Sequence, residues 1–488
     1  VINILRNERY LSWLIPALAV FTVALIYFWK GSLSEAMIWV VTICGALLLG
    51  LVLFERIAWY YYFLIAVIPI SLDLGVMGGA KLSFPAEGMI AMLIPVALLF
   101  NKTYRIKFGQ MLVHPLSLLV FIDLVFLFFI SLFSTQIDVS LKRAFIRALF
   151  FFGFFMMIQL ISDRKKLIWP WVFYMLGLVP VMYFTLRNHI HHEFDPRAVF
   201  NICAPYFSDH TIYGACLAFI IPMALILLVK RKLFGLDARL VTVLLVIFIF
   251  ILISEVLALS RAALLSIVVA GIFALLLKYR VRFGQLMLGL VIIGSVVWGM
   301  SDSIYQSIQE NESVSNDGEI VNHFSSVTNV NTDASNLERI NRWVCALRMF
   351  EQKPLTGYGP GTYQFEYNQF QTLANKTYIS TNTGDRGNAH SEYLTYLSET
   401  GIIGFLIFLG LVLGSVYLGM HNHYNQTDPV MKAINLGALL GLITFFFHGL
   451  FNSFIDQSKM SFLVFSALAT IVWINRNSKN NIEQSKET

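Results

Sequence analysis

The residues of this sequence best suited to chemistry are two arginines and a histidine, far apart in the chain but alike in their setting. Arg261 opens an apolar run in LALS-Arg261-AALL. Arg197 lies in EFDPRAVFNICAPYFSDH just ahead of another run, and His390 in GNAHSEYLTYLSETGIIG just ahead of a third. A guanidinium keeps its charge at any physiological pH and presents a planar fork of donors, which suits it to grip a diphosphate. A histidine beside two such groups is suited to deprotonate an acceptor hydroxyl. Arg339 and Arg342, in NLERINRWVCALRMFE, are further cations in the outer segment, and Ser391, Asp209 and His210 stand next to these spans as well.

Each of these has an ordinary reading as well. An arginine at the mouth of a span snorkels to the headgroups. Asp209 fits an acid at a helix N-terminus, and His390 a residue capping a helix at the interface. Two other patterns carry less. His189, His191, His192 and Glu193 look like a metal cluster, but a tract without other spaced ligands is weak support, and no metal or other cofactor is assigned. Gly357-Tyr-Gly-Pro-Gly361 invites comparison with a phosphate-binding loop. It lacks the Gly-Lys-Ser/Thr ending and a preceding strand, so it reads as a tight turn.

What positions these residues is a membrane-embedded scaffold. Of the 488 residues, 57% are hydrophobic and 13% charged, with mean hydropathy +0.69. A soluble domain carries roughly 25% charged residues, so this chain cannot cover a water-facing surface. The net charge of +6 is spread over short loops rather than gathered in one patch, which argues against nucleic-acid binding. Four cysteines, Cys44 and Cys216 in apolar runs and Cys203 and Cys345 in polar segments, are too few and scattered for a disulfide scaffold. Apolar runs long enough for the ~20 residues of a membrane helix number about 12–14. The first of them, 10–29, is too long for a signal-peptide core and has no small-residue cleavage site. Because lipid offers the backbone no partner, the expectation is an all-α polytopic integral membrane protein.

Lysine and arginine collect in the loops near 102–107, 164–166, 230–239 and 278–282 and in the tail, which predicts cytoplasmic termini. That count is made without reference to Arg197, Arg261 or His390, yet it places all three on the opposite, outer face. The expected organisation is N-terminal spans over 1–186, an outer loop over 187–211, central spans over 212–300, a large outer segment over 301–400, and C-terminal spans with a tail over 401–488. Within the large segment, 301–335 is polar and low in aromatics and reads as flexible. Asn336–Glu351 reads as an amphipathic helix on the membrane or capping the bundle. Its apolar face is Leu337, Ile340, Trp343, Val344, Leu347 and Phe350, with Glu338, Arg339, Arg342 and Arg348 opposite. The aromatics that follow (Tyr358, Tyr363, Phe365, Tyr367, Phe370, Tyr378) fit sugar stacking and burial equally.

His390-Ser391-x9-Gly401-x2-Gly404 resembles the His-(Asn/Ser/Gln)-x9-Gly-x2-Gly signature of the superfamily of O-antigen ligases, O-antigen polymerases and protein O-oligosaccharyltransferases. Ser260-Arg261 and Gly357–Gly361 are similar to family segments on either side of the large periplasmic loop. Arg197-Ala-Val-Phe200 is similar to an Arg-x-x-Phe segment of the preceding one, with Val199 where glycine is usual. The resemblance spans about residues 190–452 and implies a GT-C-related helical glycosyltransferase of the bacterial inner membrane, acting in the periplasm in polysaccharide or lipopolysaccharide biosynthesis. Its donor would be a glycan on undecaprenyl diphosphate. Its acceptor would be lipid A core (the favoured reading), a second lipid-linked glycan or a protein hydroxyl. Arg261 and Arg197 would hold the diphosphate and His390 the acceptor, without a cofactor. Arg339 or Arg342 would assist in holding donor or acceptor, with Ser391, Asp209 and His210 as further substrate-binding residues; besides these substrates the expected partners are membrane lipids. The alternative of another class, a lipid-linked oligosaccharide flippase or other transporter, calls for two similar halves or a mid-span charge series, and neither is evident.

Overall fold

The computed structural model describes residues 57–76, 80–100, 109, 111–159, 161, 163–300, 334–371 and 387–487. The expected spans 10–29 and 36–54, nearly all of the polar stretch 301–335, and Tyr378 lie outside these. The chain divides into two compact units, Val1–Phe63 and Leu64–Thr488. Of the first, the described part is residues 57–63, the start of helix α1 (Ile57–Val67).

After α1 the chain makes an antiparallel hairpin of β1 (Leu72–Val76) and β2 (Ala80–Phe84), with Leu72 opposite Phe84 and Val76 opposite Ala80. This hairpin departs from an all-helical reading: the helix stops at Val67, and the chain turns before Leu72 enters β1. Then follow α2 (Ala86–Phe100), α3 (Pro115–Ser131) and α4 (Ile137–Phe150), the last running on through a π-helical turn, Phe151–Phe155, to Ile158. Next come α5 (Trp169–His191), α6 (His210–Val229), α7 (Ala238–Leu257), α8 (Arg261–Lys278) and α9 (Phe283–Gly299). After the large segment's helix α10 (Ala334–Gln352) stand α11 (Glu392–Asn425), α12 (Pro429–His448) and α13 (Ser458–Glu487). Among the described residues seven helices are long and apolar enough to cross a membrane, with three shorter apolar ones beside them. The protein is an all-α polytopic membrane protein.

Sequence sets where these helices begin. Asp209, Asp237, Ser391 and Asp428 each accept backbone N–H groups of the first turn, occupying donors that the helix cannot satisfy itself. The membrane-length part of α13 is buried along its whole length, and α6 and α12 are mostly buried, whereas α7 and α8 present most of their surface outward. Small residues bring the central helices together. A side chain at Gly437 of α12 would press on Met223 of α6, and one at Gly441 would come within 3.0 Å of the Phe219 carbonyl. Such a small-x-x-x-small pair lets two backbones approach where lipid supplies no hydrophobic drive. It also fixes α6 and α12 antiparallel, so that the start of α6 and the end of α12 share one end of the bundle. At the other end Asn422, Asn435 and Asn475 bond one another (2.8–3.2 Å) and tie α11, α12 and α13 together.

Helix α10 forms where expected but is rolled about its axis. The buried face carries Glu338, Asn341, Arg342, Cys345, Ala346 and Met349, while Leu347 is exposed. The polar members of that face are satisfied internally: Arg342 bonds Glu338 (2.9 Å) and the Asn388 carbonyl (3.3 Å), and its guanidinium lies 5.0 Å from the centre of the Tyr367 ring. Beneath the helix, Tyr358, Tyr363 and Tyr367 are buried with Cys345 and Met349 in a small core, which leaves these three rings no free face for a sugar.

Candidate active site

His390 sits at the junction of the large segment and α11, with a backbone φ of +48°, a conformation seldom adopted by non-glycine residues. Its surroundings enforce it. The Asn388 side chain accepts the His390 N–H (2.9 Å), the Trp343 indole donates to the His390 carbonyl (3.2 Å), and Ser391 caps α11. Such strain persists only when neighbours over-determine it, and it gathers at functional sites. Eleven residues on, Gly401 takes φ +66° and ψ −169° inside α11, kinking it so that the Ile402 N–H bonds the Pro354 carbonyl (2.8 Å). A Cβ there would collide with the carbonyls of Pro354 and Leu355. The spacing from His390 to Gly401 is thus the length of the short helix that carries the histidine, and the glycine is where that helix locks onto the end of α10.

Gly357–Gly361 is part of the same lock. Tyr358 and Gly359 donate to the Ser398 and Glu399 carbonyls (3.1 and 2.8 Å), and the Glu399 carboxylate accepts the N–H groups of Gly361 (2.8 Å) and Tyr363 (3.1 Å). All three glycines have positive φ. The loop is a structural turn, its amides spent on α11.

The remaining candidates converge on the end of the bundle where α6 begins. Asp209 caps α6, accepting from Thr211 (2.7 Å) and Ile212 (3.2 Å), so its helix-capping reading holds. His210 is the first residue of α6 and meets the Phe200 ring edge-on at 5.1 Å. Phe200 belongs to the 3-10 turn Pro196–Asn201 that also contains Arg197, whose side chain is outside the described part of the structure. Arg261 is the first residue of α8. The turn before it, with Leu259 at φ +47°, presses Ser260 against Gly214 on the second turn of α6, where a Cβ would come within 2.9 Å. Two helix N-termini, each with the positive end of its dipole, therefore lie side by side.

Arg339 is the electrostatic hub. Its charge acts on His210, His390 and His448, the last being the final residue of α12. Burial, then the charges of Arg342 and Arg339, push His390 down to about 4, against the opposing pull of Asp209 and of Asn452 acting as a hydrogen-bond acceptor. His390 is thus a neutral imidazole at neutral pH. Nδ1 of His210, Nε2 of His448 and Nδ2 of Asn452 are buried and have no partner among the described residues. His210 and His448 share the influence of Arg339, and Asn452 that of His390, so these polar atoms belong to one neighbourhood. Arg342 contacts Glu338, Asn388 and Tyr367, and is placed to hold α10 against the His390 segment.

Sequence reading passed over His448 and Asn452, which look like the interfacial end of a span. It also missed a buried ion network at the same end: Asp456 is gripped by Arg143 and Arg147, and Arg147 further contacts Asp123 (3.4 Å) and the Tyr396 hydroxyl (2.7 Å). Cys203, Cys216 and Cys345 are separate buried thiols.

No curated protein matches the chain. A family model described as O-Antigen ligase matches residues 246–409, about a third of the chain. The match takes in Arg261, Arg339, Arg342, His390, Ser391, Gly401 and Gly404, and leaves Arg197, Asp209, His210, His448 and Asn452 outside. Over residues 246–409, then, this membrane protein is similar to the O-Antigen ligase family.

Proposed function

We propose that the protein transfers a glycan from undecaprenyl diphosphate to a hydroxyl on the periplasmic side of the bacterial inner membrane, with lipid A core sugar as the acceptor. The observation that carries this is the gathering, at one end of the bundle, of Arg339, the neutral His390 and the adjoining N-termini of α6 and α8, the latter headed by Arg261.

The diphosphate needs cations and N–H donors that persist as its charge grows on leaving. Arg261 and Arg339 supply the first, and the N-terminal turns of α6 and α8 the second. Arg197 keeps the diphosphate-holding role that the family resemblance implies for it, and Asp209 sets the start of α6. Neutral His390 offers a nitrogen lone pair to the acceptor O–H, with Ser391 and His210 at the edges of the site. The hydroxyl oxygen attacks the anomeric carbon from the face opposite the diphosphate, so configuration inverts. The bond from that carbon to the phosphate oxygen breaks, the electron pair leaves with the diphosphate, and the hydroxyl proton passes to His390. The arriving diphosphate also offsets the cations that hold His390 down, so the base strengthens once donor is in place. A diphosphate is already an activated leaving group, and the reaction draws on no metal or nucleotide.

The test is transfer by purified protein in nanodiscs, with an undecaprenyl-diphosphate glycan, EDTA, and three acceptors offered separately: lipid A core, a second lipid-linked glycan and a serine- or threonine-bearing protein. Product on lipid A core is expected. Product on another acceptor alone would make the protein a polymerase or a protein glycosyltransferase. No product on any acceptor, with labelled donor crossing between leaflets, would replace the enzyme reading by a transporter.

A further inference from the structure

We infer that Asn452 is a positioning residue for His390, its side-chain carbonyl accepting one ring N–H so that the other ring nitrogen faces the acceptor hydroxyl. The inference rests on the proposed role of His390 and extends it to a residue outside the matched family region.

Three observations carry it. First, Asn452 is 3% exposed, and its side chain acts on the His390 ring in the sense of a hydrogen-bond acceptor, favouring the protonated imidazole. A buried imidazole with a single fixed acceptor has one tautomer and one orientation, as a general base requires. Second, an asparagine carries one acceptor oxygen and two N–H donors. With the oxygen given to His390, Nδ2 remains a buried donor with no partner among the described residues, available to the substrate. Third, the turn bearing Asn452 is fastened by the neighbours of His390 on both sides. Asn388, two residues before it, donates to the Ser453 carbonyl (3.2 Å). Glu392, two residues after it, donates its N–H to the Gly449 carbonyl (2.8 Å). The Glu392 carboxylate accepts from the Ser453 hydroxyl (3.0 Å) and from the N–H groups of Phe454 and Ile455. The turn is closed from behind by the His448 carbonyl, which accepts the N–H groups of Phe451 (3.0 Å) and Asn452 (3.1 Å). Ring and amide are therefore held by one framework, and displacement of either is resisted by both flanks. A neutral amide fixes the tautomer without adding charge beside a departing diphosphate, which a carboxylate would do.

The experiment pairs ¹⁵N NMR of histidine-labelled protein with transfer kinetics, on Asn452→Ala and Asn452→Asp, using His390→Ala to assign the His390 ring signals. Asn452→Ala is expected to turn a single His390 tautomer into a mixture and to lower kcat about ten- to a hundredfold, with donor KM within about twofold. Asn452→Asp is expected to restore a single tautomer and to move the acid limb of the pH profile upward by at least about one pH unit. Purely structural damage would produce neither the tautomer change nor that displacement. If Asn452→Ala does not assemble, the Asp variant decides alone. Unchanged ring signals and an unmoved acid limb would overturn the inference. Normal transfer by His390→Ala would instead overturn the catalytic reading, and the tautomer result would still show whether Asn452 holds the ring.

Discussion

Adding a single methyl group at Gly401 tests whether the His–Gly spacing is a structural lock. At φ +66° and ψ −169° the backbone occupies a region essentially reserved for glycine, and forcing alanine into it costs about 1–3 kcal/mol. The new Cβ would press on the Pro354 carbonyl oxygen at 2.9 Å and still harder on that of Leu355; overpacking of this kind costs about 1–3 kcal/mol. Relieving it by moving α11 away loses the Ile402–Pro354 hydrogen bond, worth about 1 kcal/mol. Gly401→Ala should therefore destabilise by about 2–6 kcal/mol, a large part of a total that is typically about 5–15 kcal/mol. Two other glycines of α11 calibrate the scale. At Gly404 a Cβ would fall 2.4 Å from the Thr400 Cβ, which cannot rotate away, and 2.9 Å from a Phe126 ring carbon, but the backbone there is helical, so about 1–3 kcal/mol is expected. At Gly410 it meets only Leu119 Cδ2, at 3.3 Å, and the exchange should be nearly neutral, since alanine is the better helix former by about 1 kcal/mol. The assay is the unfolding midpoint of each alanine variant in one detergent, read by intrinsic fluorescence. The predicted order of loss is Gly401, then Gly404, then Gly410. A Gly401→Ala protein that melts with the unaltered one would refute the lock.

Other predictions concern charge. Because burial and the cations Arg342 and Arg339 hold His390 at about 4, loss of transfer on acidification should begin well below the ordinary histidine range; replacing Arg339 by glutamine should move that limb upward, measured as kcat/KM against pH. His390 also weakens the fold in acid: its folded value lies below the unfolded one, so stability is complete above about 6.5 and declines as pH falls toward 4. Asp456 behaves in the opposite sense at lower pH. Burial alone would raise it, but Arg143 and Arg147 outweigh that and hold it at about 2, so its contribution is present above its ordinary 3.8 and lost as pH falls through 2. Asp456→Asn leaves Arg147 buried without its main counter-charge and should cost about 3–5 kcal/mol in the same melting assay.

Much of this architecture is legible in the chain because lipid simplifies the problem. Spans such as 261–278 coincide with their apolar runs, and acids such as Asp237 and Asp428 mark helix starts. The existence of α10 follows from its periodicity, but its roll does not. Burial of Arg342 depends on Asn388 and Tyr367, which approach it only in three dimensions, and a moment of hydrophobicity cannot register a salt bridge that makes a polar face buriable. For the same reason Arg147 and Asp456, more than three hundred residues apart, give no local sign of pairing. In the site, His390 is visible through its spacing to Gly401 and Gly404. Asn452 and His448 are not, because their significance lies in a turn folded back onto that histidine.

Transfer by the His390→Ala protein, inserted at normal level and given saturating donor and acceptor, bears most directly on the central claim. The account predicts a fall in kcat of at least about a hundredfold, with donor binding retained through Arg261 and Arg339. Transfer at the unaltered rate would contradict it and remove His390 from the chemistry.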